Sequence, residues 1–340
     1  MLHILGIDTS CDDSGVGVVS EGRWLRSNVI ASQAELHRVY GGVVPEVASR
    51  AHLVALPRVL VRALEEAGIG FKDLGAVAVT QGPGLVGALL VGVAAAKALA
   101  YALRVPLIPV HHLLGHLYSA WLAHPDLPLP AVGLLASGGH TLLLYWEDYL
   151  RIRVIGGTLD DAAGEAFDKV ARFLGLGYPG GPALEKAAAG GDPGAFPFPR
   201  VLLGAESLDF SFSGLKTAVV NFCRRRREAG EPVPLEDVAA SFQAAVVEVL
   251  VEKCSRALKV FPGRSLVVVG GVAANRTLRQ ALEEKAREEG WELVIPPPAL
   301  CTDNGAMIAA AGYFLYQQGR TADFYLEAVP GLKLETFLCG

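Results

Sequence analysis

Charged side chains are scarce in this sequence: Asp, Glu, Lys and Arg make up only 19% of its 340 residues, against about 25% in ordinary domains. Apolar residues reach 51%, which excludes a mainly disordered chain. Long apolar runs are missing too, because the longest uncharged stretch, residues 74–96, is interrupted by Gln81-Gly82-Pro83-Gly84. We therefore expect no membrane-spanning helix. The first apolar run meets Asp8 at once, so we expect no signal peptide and a cytoplasmic location.

Paired cysteines are also absent. The five cysteines are scattered, odd in number and without a CxxC pair, at Cys11, Cys223, Cys254, Cys301 and Cys339. This pattern excludes a disulfide framework and a zinc ribbon, and it fits a reducing compartment.

Positive charge is in slight deficit, since 30 Lys and Arg face 35 Asp and Glu, a net charge of −5. Nucleic acid would therefore have to bind a local basic patch rather than a general positive field. The strongest patch is the run Arg224-Arg225-Arg226-Arg227. A solvated helix end before Gly230 explains the same residues equally well, and the sequence does not decide between the two.

One order of secondary-structure signals occurs twice. Each copy has a hairpin with a hydroxyl-bearing turn, then helical sequence, then an apolar strand that runs into a glycine loop and a helix. The copies start near His3 and Ala131, and their glycine-loop strands begin at Ala76 and Ser265. This repetition predicts a duplicated α/β domain with mixed sheets. The second copy is longer, which places an insertion at about residues 158–234, and long insertions usually supply specificity.

Glycine loops follow strands at four places, where backbone N–H groups could approach a phosphate. Turn geometry explains each loop taken alone, but four loops at equivalent positions of two repeats indicate a ligand site at the strand ends. Neither a GxxxxGK[ST] nor a GxGxxG motif follows a strand, which disfavours P-loop and dinucleotide-binding proteins. The four loops are residues 8–15, 81–84, 137–139 and 270–271.

Two histidines, His112 and His116, stand four residues apart. On a helix their rings lie one turn apart on one face and could share a metal ion, although two polar helix residues are an alternative explanation. A zincin protease needs Glu directly after the first histidine, where Leu113 stands. Asp303 is the strongest candidate for a third ligand, with an N-cap as its alternative role, and His140 is a weaker one.

The acidic segment at residues 160–169 reads as the start of a helix. Asp161, Glu165 and Asp168 would share one helix face. Such a stripe is usually solvated, but three like charges mildly oppose a helix and leave room for binding substrate hydroxyls. The turn that follows, residues 176–182, has amides that could line a pocket.

Nine segments carry a resemblance to a known family: residues 6–12, 82–84, 112–116, 137–141, 160–169, 178–182, 212–217, 270–275 and 303–307. In content and order they resemble the bacterial tRNA threonylcarbamoyladenosine synthases, formerly described as O-sialoglycoprotein endopeptidases. The likeness covers nearly the whole chain.

This resemblance implies an α/β, actin-like fold of the sugar-kinase and heat-shock-chaperone type, with duplicated RNase H-like domains around a central nucleotide cleft. The implied domains are residues 1–125, completed by a C-terminal helix at about 303–325, and residues 126–302. The implied activity transfers threonylcarbamoyl from threonylcarbamoyl-adenylate to the N6 amine of the adenosine 3′ of the anticodon, in tRNAs for codons beginning with A. AMP is released.

The resemblance also implies the site residues. His112, His116 and Asp303 would hold one Fe²⁺ or Zn²⁺ per subunit. Asp12 and Asp13 are the expected catalytic acids, with Asp12 or a water on the metal taking the amine proton. A nucleotide of the ATP or AMP type could also occupy the cleft. The expected substrate-binding residues are Leu135, Ala136, Ser137, Gly138, Gly139, Asp168, Gly181 and Asn275.

The implied partners are tRNA, threonylcarbamoyl-adenylate, a catalytically inactive paralogue of the same fold and a small P-loop ATPase, with no membrane. The chain departs from the family's common pattern at four positions. Asp8 and Asp13 stand where Glu is common, Leu114 stands where Glu is common, and Ala136 stands where Val is common. The side chains of Asp8 and Asp13 are one methylene shorter than Glu, and none of these departures changes an expected metal ligand.

An ATP-dependent kinase or ATPase of the actin-like superfamily is the alternative function. It would need an all-oxygen Mg²⁺ site, which a histidine pair disfavours. A non-catalytic scaffold and a metalloprotease are further alternatives. His112, His116 and Asp303 disfavour the scaffold, and Leu113 in place of Glu disfavours the protease.

Overall fold

A computed structural model gives the fold, and it describes residues 1–204, 206–263 and 265–339. These residues form two compact units. The first unit comprises Met1–Leu127 with Pro296–Gly340, and the second comprises Pro128–Ile295.

The described residues form ten strands and twelve α-helices. The strands are β1 (His3–Asp8), β2 (Asp13–Ser20), β3 (Trp24–Ser32), β4 (Ala76–Gly82), β5 (Leu107–His111), β6 (Ala131–Ala136), β7 (Thr141–Asp148), β8 (Arg151–Gly157), β9 (Ser265–Val269) and β10 (Glu292–Val294). The helices are α1 (Ala34–Arg38), α2 (Pro45–Ala67), α3 (Val86–Leu103), α4 (His112–Ala123), α5 (Ala163–Leu174), α6 (Gly180–Ala188), α7 (Ser213–Glu228), α8 (Leu235–Val260), α9 (Arg276–Glu289), α10 (Pro298–Cys301), α11 (Gly305–Gln317) and α12 (Leu334–Cys339).

The two units contain sheets of the same topology. The first sheet has the order β3-β2-β1-β4-β5, and the second, read from its other edge, has the order β8-β7-β6-β9-β10. In each sheet the first three strands of the unit form an antiparallel meander, and the fourth pairs in parallel with the first. The predicted duplicated α/β fold is therefore confirmed.

Both faces of the first sheet are covered by helices. Leu5 and Ile7 of β1 point into a core with α2 and α3, whereas Ile4 approaches Gly312 of α11 on the opposite face. Alternate side chains of a strand point to opposite faces, so a strand buried on both faces reads as a continuous apolar run. This explains why β1 and β4 are apolar along their length.

Helix α11 packs so closely on the first sheet that its backbone lies against the backbone of the strands. A Cβ on Gly17 would be 2.5 Å from the nitrogen of Ala306, and a Cβ on Gly6 would be 2.2 Å from the carbonyl oxygen of Gly305. Glycine is required at these positions because no larger residue leaves room for the helix. The close packing holds the amino end of α11, just after Asp303, against β1 and β2.

Helix α3 is long and apolar enough, by length and composition alone, to cross a membrane, and 33% of its 18 residues are buried. In the first unit its buried side, including Leu89 and Val93, packs on β4 and α2. Its other side carries exposed Val86, Leu90 and Tyr101. The helix was not expected as a candidate span, because the uncharged stretch at residues 74–96 ends before Lys97, whereas α3 continues to Leu103.

The second unit has the central helix α8, whose apolar side chains are buried against β6 and β9. The predicted insertion at residues 158–234 folds as α5, α6 and α7. Helix α5 contacts both α6 and α7. The insertion is therefore a packed part of this unit rather than a loose loop.

Candidate functional site

The histidine pair lies at the start of α4, directly after β5. His111 caps the first turn of α4, because its Nδ1 accepts a hydrogen bond from the backbone nitrogen of Leu113 at 3.2 Å. His112 and His116 then fall one turn apart on one face, with ring centroids 4.7 Å apart. Both side chains are buried, so neither is an ordinary solvated helix residue.

Asp303 completes this group from the loop that precedes α11. Its Oδ1 lies 3.2 Å from Nε2 of His116 and 3.5 Å from Nε2 of His112. The N-cap role considered for Asp303 is wrong, because Asn304 caps α11 by accepting a hydrogen bond from the nitrogen of Met307 at 2.9 Å. The neighbouring asparagine thus leaves the carboxylate of Asp303 to face the histidines.

A metal ion fits this group. One ligand atom from each of His112, His116 and Asp303 lies within 4.8 Å of the others. Among the described residues neither ring nitrogen of buried His116 has a hydrogen-bond partner, and burying such groups unpaired is costly. Two imidazoles and one carboxylate suit Fe²⁺ or Zn²⁺. His140, the weaker alternative ligand, belongs to the second unit and is not a member of the group.

Asp8, the last residue of β1, lies next to His112. Its Oδ1 accepts hydrogen bonds from the hydroxyl of Thr80 at 2.8 Å and the nitrogen of Ser10 at 3.2 Å. Its Oδ2 is buried without a hydrogen bond and lies 3.5 Å from Nδ1 of His112, which also lies 3.1 Å from the hydroxyl of Ser10. Burial lowers the pKa of His112, but Asp303 and Asp8 outweigh it and raise the value to about 9.

Asp12 ends the loop between β1 and β2, and Asp13 is the first residue of β2, so both lie in the same unit as the histidine pair. Burial is the main cause that raises the pKa of Asp13 to about 7, the negative charges of Asp12 and Asp303 act in the same direction, and a hydrogen bond from Ser32 opposes them. A carboxyl group with this pKa can accept a proton near neutral pH. Burial and the same acids raise the pKa of the Cys11 thiol, so Cys11 does not supply a thiolate nucleophile.

His52 fixes this loop to α2. Its Nε2 donates to the carbonyl oxygen of Cys11 at 3.0 Å, which leaves Nδ1 to accept from the hydroxyl of Ser14 at 2.7 Å. Burial lowers the pKa of His52 and keeps the ring neutral. The sequence analysis did not identify this residue, because nothing in the local pattern links positions 38 residues apart.

The glycine loop at residues 82–84 has a packing role. The nitrogen of Gly84 donates to Pro330 and that of Leu85 donates to Ser10. A Cβ on Gly84 would lie 2.5 Å from the carbonyl oxygen of Ser10. The amides of Gly84 and of the next residue, Leu85, are therefore committed within the protein, and this segment supports Ser10 beside His112.

In the second unit, the end of β6 contributes Leu135 and Ala136, and the turn after it contributes Ser137, Gly138 and Gly139. The nitrogen of Gly164, at the start of α5, donates to the carbonyl oxygen of Ser137 at 3.2 Å. Gly270, with φ +92°, approaches the carbonyl oxygen of Ala136. A Cβ on Gly138 or Gly139 would meet open space, so the backbone of this turn is accessible to a ligand.

Asp168, Gly181 and Asn275 lie around helices α6 and α9. Asp168 Oδ1 accepts from the nitrogen of Gly180 at 2.9 Å, next to Gly181. Asn275 caps α9 through Leu278 and donates to Oε1 of buried Gln243 at 2.9 Å. A cavity of about 630 Å³ is lined by Pro182 and Arg276, the chain neighbours of Gly181 and Asn275, and its volume is in the range of nucleotide-sized ligands. Its lining includes Pro182, Glu185, Lys186, Gln243, Arg276 and Thr277.

The prediction that Asp161, Glu165 and Asp168 share one helix face is wrong for Asp161. Asp161 lies before α5, whose N-cap is Ala162, and it pairs with Lys169 at 2.7 Å and Lys216 at 2.5 Å. Burial opposes ionisation, but hydrogen bonds from these two lysines lower the pKa of Asp161. Lys216 could not be recognised from the sequence as a partner of Asp161, because the two residues lie 55 positions apart in the chain.

Asp160 anchors the amino end of α7. Its Oδ1 accepts from the backbone nitrogens of Phe212 at 2.8 Å and Ser213 at 3.1 Å, and its Oδ2 accepts from the hydroxyl of Ser211 at 2.5 Å. The segments 160–169 and 212–217 therefore act together as one junction between α5 and α7.

Comparisons with known proteins agree on one family. A sequence model of the tRNA N6-adenosine threonylcarbamoyltransferase family matches residues 25–310. A tRNA N6-adenosine threonylcarbamoyltransferase of Moorella thermoacetica is 57% identical over 332 residues, 98% of this chain and 97% of that protein. One from Staphylococcus aureus is 50% identical over 334 residues, with 98% and 97% covered.

Solved structures resemble the fold at lower identity. T. kodakarensis HypF aligns with a TM-score of 0.61 and 16% identity over 94% of this chain and 48% of that one. Component A of the Acidaminococcus fermentans (R)-2-hydroxyglutaryl-CoA dehydratase aligns with a TM-score of 0.55 and 17% identity, over 94% and 99%. These structures support the actin-like fold class and no particular activity.

Proposed function

This chain belongs to the tRNA N6-adenosine threonylcarbamoyltransferase family, and we propose that it transfers threonylcarbamoyl from threonylcarbamoyl-adenylate to the N6 amine of the adenosine 3′ of the anticodon, with release of AMP. The observation that carries this proposal is the group formed by buried His112 and His116 with half-buried Asp303. An actin-like kinase or ATPase is not favoured, because its Mg²⁺ prefers an all-oxygen site.

The reaction requires positioning more than activation of the donor. The N6 nitrogen forms a bond to the carbamoyl carbon, the bond from that carbon to the phosphate oxygen breaks, and AMP leaves with those electrons. The donor is a mixed anhydride with a good leaving group, so holding a weakly nucleophilic amine against it is the main task. A bound Fe²⁺ or Zn²⁺ would act as a Lewis acid on donor oxygens.

Each residue set has a role in this proposal. His112, His116 and Asp303 hold the metal. Asp12 accepts the proton that the amine loses, and Asp13, whose pKa is raised to about 7 mainly by burial, is a second acceptor beside it. The adenylate binds in the second unit, on the end of β6 at Leu135 and Ala136, on the open turn Ser137–Gly139, and on Asp168, Gly181 and Asn275. The last two are chain neighbours of residues that line the cavity.

Reconstitution tests the activity. The chain is mixed with its partner proteins, ATP, bicarbonate, threonine and a tRNA transcript, and modified adenosine is measured by mass spectrometry. His112→Ala with His116→Ala is expected to abolish transfer while adenylate synthesis by the separate enzyme continues. No modified adenosine from the wild-type mixture would contradict the proposed function, and retained transfer by the variant would contradict the role of the metal.

We also propose a paralogue of the same fold and a small P-loop ATPase as protein partners. Helices α2 and α3 pack side by side on the first sheet, and their outer faces expose Leu53, Val54, Val86, Leu90 and Tyr101. Exposed apolar patches of this kind mark protein interaction sites. A paralogue would present an equivalent helix pair, so the two proteins could bury both patches together.

The domain assignment and the location belong to the same proposal. We assign residues 1–125, with a helix from about 303–325, to one actin-like domain and residues 126–302 to the other. Because tRNA is the acceptor, we infer that the protein acts in the cytoplasm.

A further inference from the structure

We propose that a basic surface at the carboxyl ends of α5 and α7 binds the phosphate backbone of the tRNA. This arginine surface consists of Arg172, Arg224, Arg225, Arg226 and Arg227, and all except half-buried Arg226 are exposed. The inference rests on the proposed function, since it names where the tRNA of that reaction is held.

The charge of the arginine surface is largely uncompensated. Within the described part of the chain, no carboxylate lies within 4 Å of Arg224, Arg225 or Arg227, whereas Arg226 pairs with Glu231 at 3.3 Å. The whole chain has a net charge of −5, so this concentration of positive charge is a local exception. A polyanion is the partner that such a patch attracts.

Aromatic rings hold two of the guanidinium groups in place. Arg227 lies over the ring of Phe173 at 5.1 Å, and Arg226 lies over the ring of Phe222 at 5.8 Å. A ring face restrains a guanidinium without neutralising its charge. The planar group can then donate two hydrogen bonds to a phosphate with less conformational entropy to lose.

The arginine surface also lies near the expected adenylate site of the same unit. Arg172 follows Asp168 by one turn of α5. Helix α7 begins beside Asp161, and its arginines follow about 12 residues later, roughly 18 Å along the axis. Phosphates of one strand advance about 3.4 Å per nucleotide in a duplex, so about five nucleotides span the distance from Asp161, at the start of α7, to the arginines of that helix. An adenosine in the anticodon loop has stem phosphates within this distance.

A simpler role at the helix end explains only part of the run. Arg225 donates to the carbonyl oxygen of Asn221, and Arg226 donates to that of Pro232. Cations near a helix carboxyl end stabilise it through such bonds and the helix dipole. Arg224 makes no such bond to any described residue, and Arg227 packs on a neighbouring helix instead.

The test compares the full-length double variant Arg224→Gln/Arg225→Gln with the wild type. Glutamine has a helix propensity close to that of arginine, and both side chains are exposed, so the fold is expected to be unchanged. Binding of a fluorescent tRNA transcript is measured between about 50 and 200 mM salt, with partner proteins present. The Kd is expected to rise roughly tenfold, and the slope of log Kd against log salt to fall by about 1.4 to 1.8.

The matched control is Arg151→Gln/Arg287→Gln, which removes the same charge from exposed positions of the same unit. It is expected to bind tRNA as the wild type does. An equal Kd and an equal salt slope for both double variants would overturn the proposal, as would a wild-type chain that binds no tRNA.

A transfer assay separates this surface from the activity itself. The KM for tRNA is expected to rise with the Kd, while kcat at saturating tRNA stays at the wild-type value. If the wild type binds tRNA through these arginines but forms no modified adenosine, the proposed function fails and the surface stands. A fall in kcat with an unchanged KM and Kd would overturn the surface.

Discussion

At the residue scale, we expect Asp8 to orient the imidazole ring of His112 for binding a metal ion. If Nε2 of His112 binds the ion, Nδ1 carries a proton that it can donate to the hydroxyl of Ser10 at 3.1 Å, and the buried Oδ2 of Asp8 places a negative charge 3.5 Å from the same nitrogen. Asp8→Asn removes the charge and can place an amide group there instead. We expect the affinity for Fe²⁺ or Zn²⁺ to fall about 10- to 100-fold, measured by competition with a chelator.

Two controls accompany this variant. Asp8→Glu keeps the carboxylate, and Glu is common at this position in the family that the sequence resembles, so most of the affinity is expected to return. Ser20→Ala removes a different buried side chain of the same sheet, bonded to His3, and is expected to leave metal binding unchanged. Metal affinity of Asp8→Asn equal to that of the wild type would show that Asp8 does not orient His112.

The sequence predicted individual site residues better than their partners. The spacing of His112 and His116 and the resemblance were enough to select them with Asp303, and the structure places the three together. The contacts of Asp8 with His112, of Asp161 with Lys216 and of Asn275 with Gln243 could not be foreseen. Each joins residues distant in sequence, and no local periodicity encodes such a contact.

At the element scale, the position of α11 depends on glycines in the sheet. Gly17→Ala would place a Cβ 2.5 Å from the nitrogen of Ala306 and force the helix outward. Because Asp303 lies two residues before α11, we expect metal affinity to fall together with a loss of about 1–3 kcal/mol in the free energy of unfolding. Denaturant unfolding and chelator competition measure the two effects.

Gly331→Ala serves as the control, since its Cβ would meet nothing within 4 Å. We expect neither stability nor metal affinity to change in this variant. A Gly17→Ala protein that binds metal as tightly as the wild type would mean that the sheet tolerates the methyl group without moving α11.

A second prediction at this scale concerns the contact between α8 and α9. Burial opposes the ionisation of Glu289, but hydrogen bonds from Ser255, Lys285, Lys259 and Trp291 lower its pKa from 4.5 to about 2. The contribution of this carboxylate to stability is therefore complete above pH about 4.5 and is lost as the pH falls towards 2.

Glu289→Gln is expected to destabilise the protein by about 1–2 kcal/mol at neutral pH, after allowance for screening of partly exposed charges. The difference from the wild type should shrink as the pH falls from about 4.5 to 2, and denaturant titrations across that range measure it. A difference that stays constant down to pH 2 would contradict the low pKa of Glu289.

The elements could be predicted where local order was repeated. Two copies of hairpin, helix, strand and glycine loop were enough to predict the duplication, because the apolar strands β1, β4, β6 and β9 differ clearly from their turns. The role of the glycine loop at residues 82–84 could not be predicted. Its committed amides depend on Pro330 and Ser10, which approach it only in the folded chain.

At the scale of the whole molecule, composition was misleading about one helix. The apolar character of α3 has two sources, since Leu89 and Val93 pack in the core while Val86 and Leu90 are exposed. A helix that is apolar all round is normally buried on all sides. We therefore propose that a partner protein covers the exposed side of α3 together with exposed Leu53 of α2.

Leu53→Glu/Leu90→Glu tests this surface. The two side chains are 62% and 53% exposed, so the variant is expected to fold normally, but the glutamates would be buried without partners in a complex. We expect binding to the paralogue to weaken at least tenfold, because charges at the centre of an apolar interface are strongly unfavourable. Light scattering and titration calorimetry measure this binding.

Val39→Glu/Val260→Glu introduces the same charges at positions that are 79% and 70% exposed, and it should bind the paralogue normally. If both variants bind equally well, the paralogue docks elsewhere, and the apolar faces of α2 and α3 must serve a different contact.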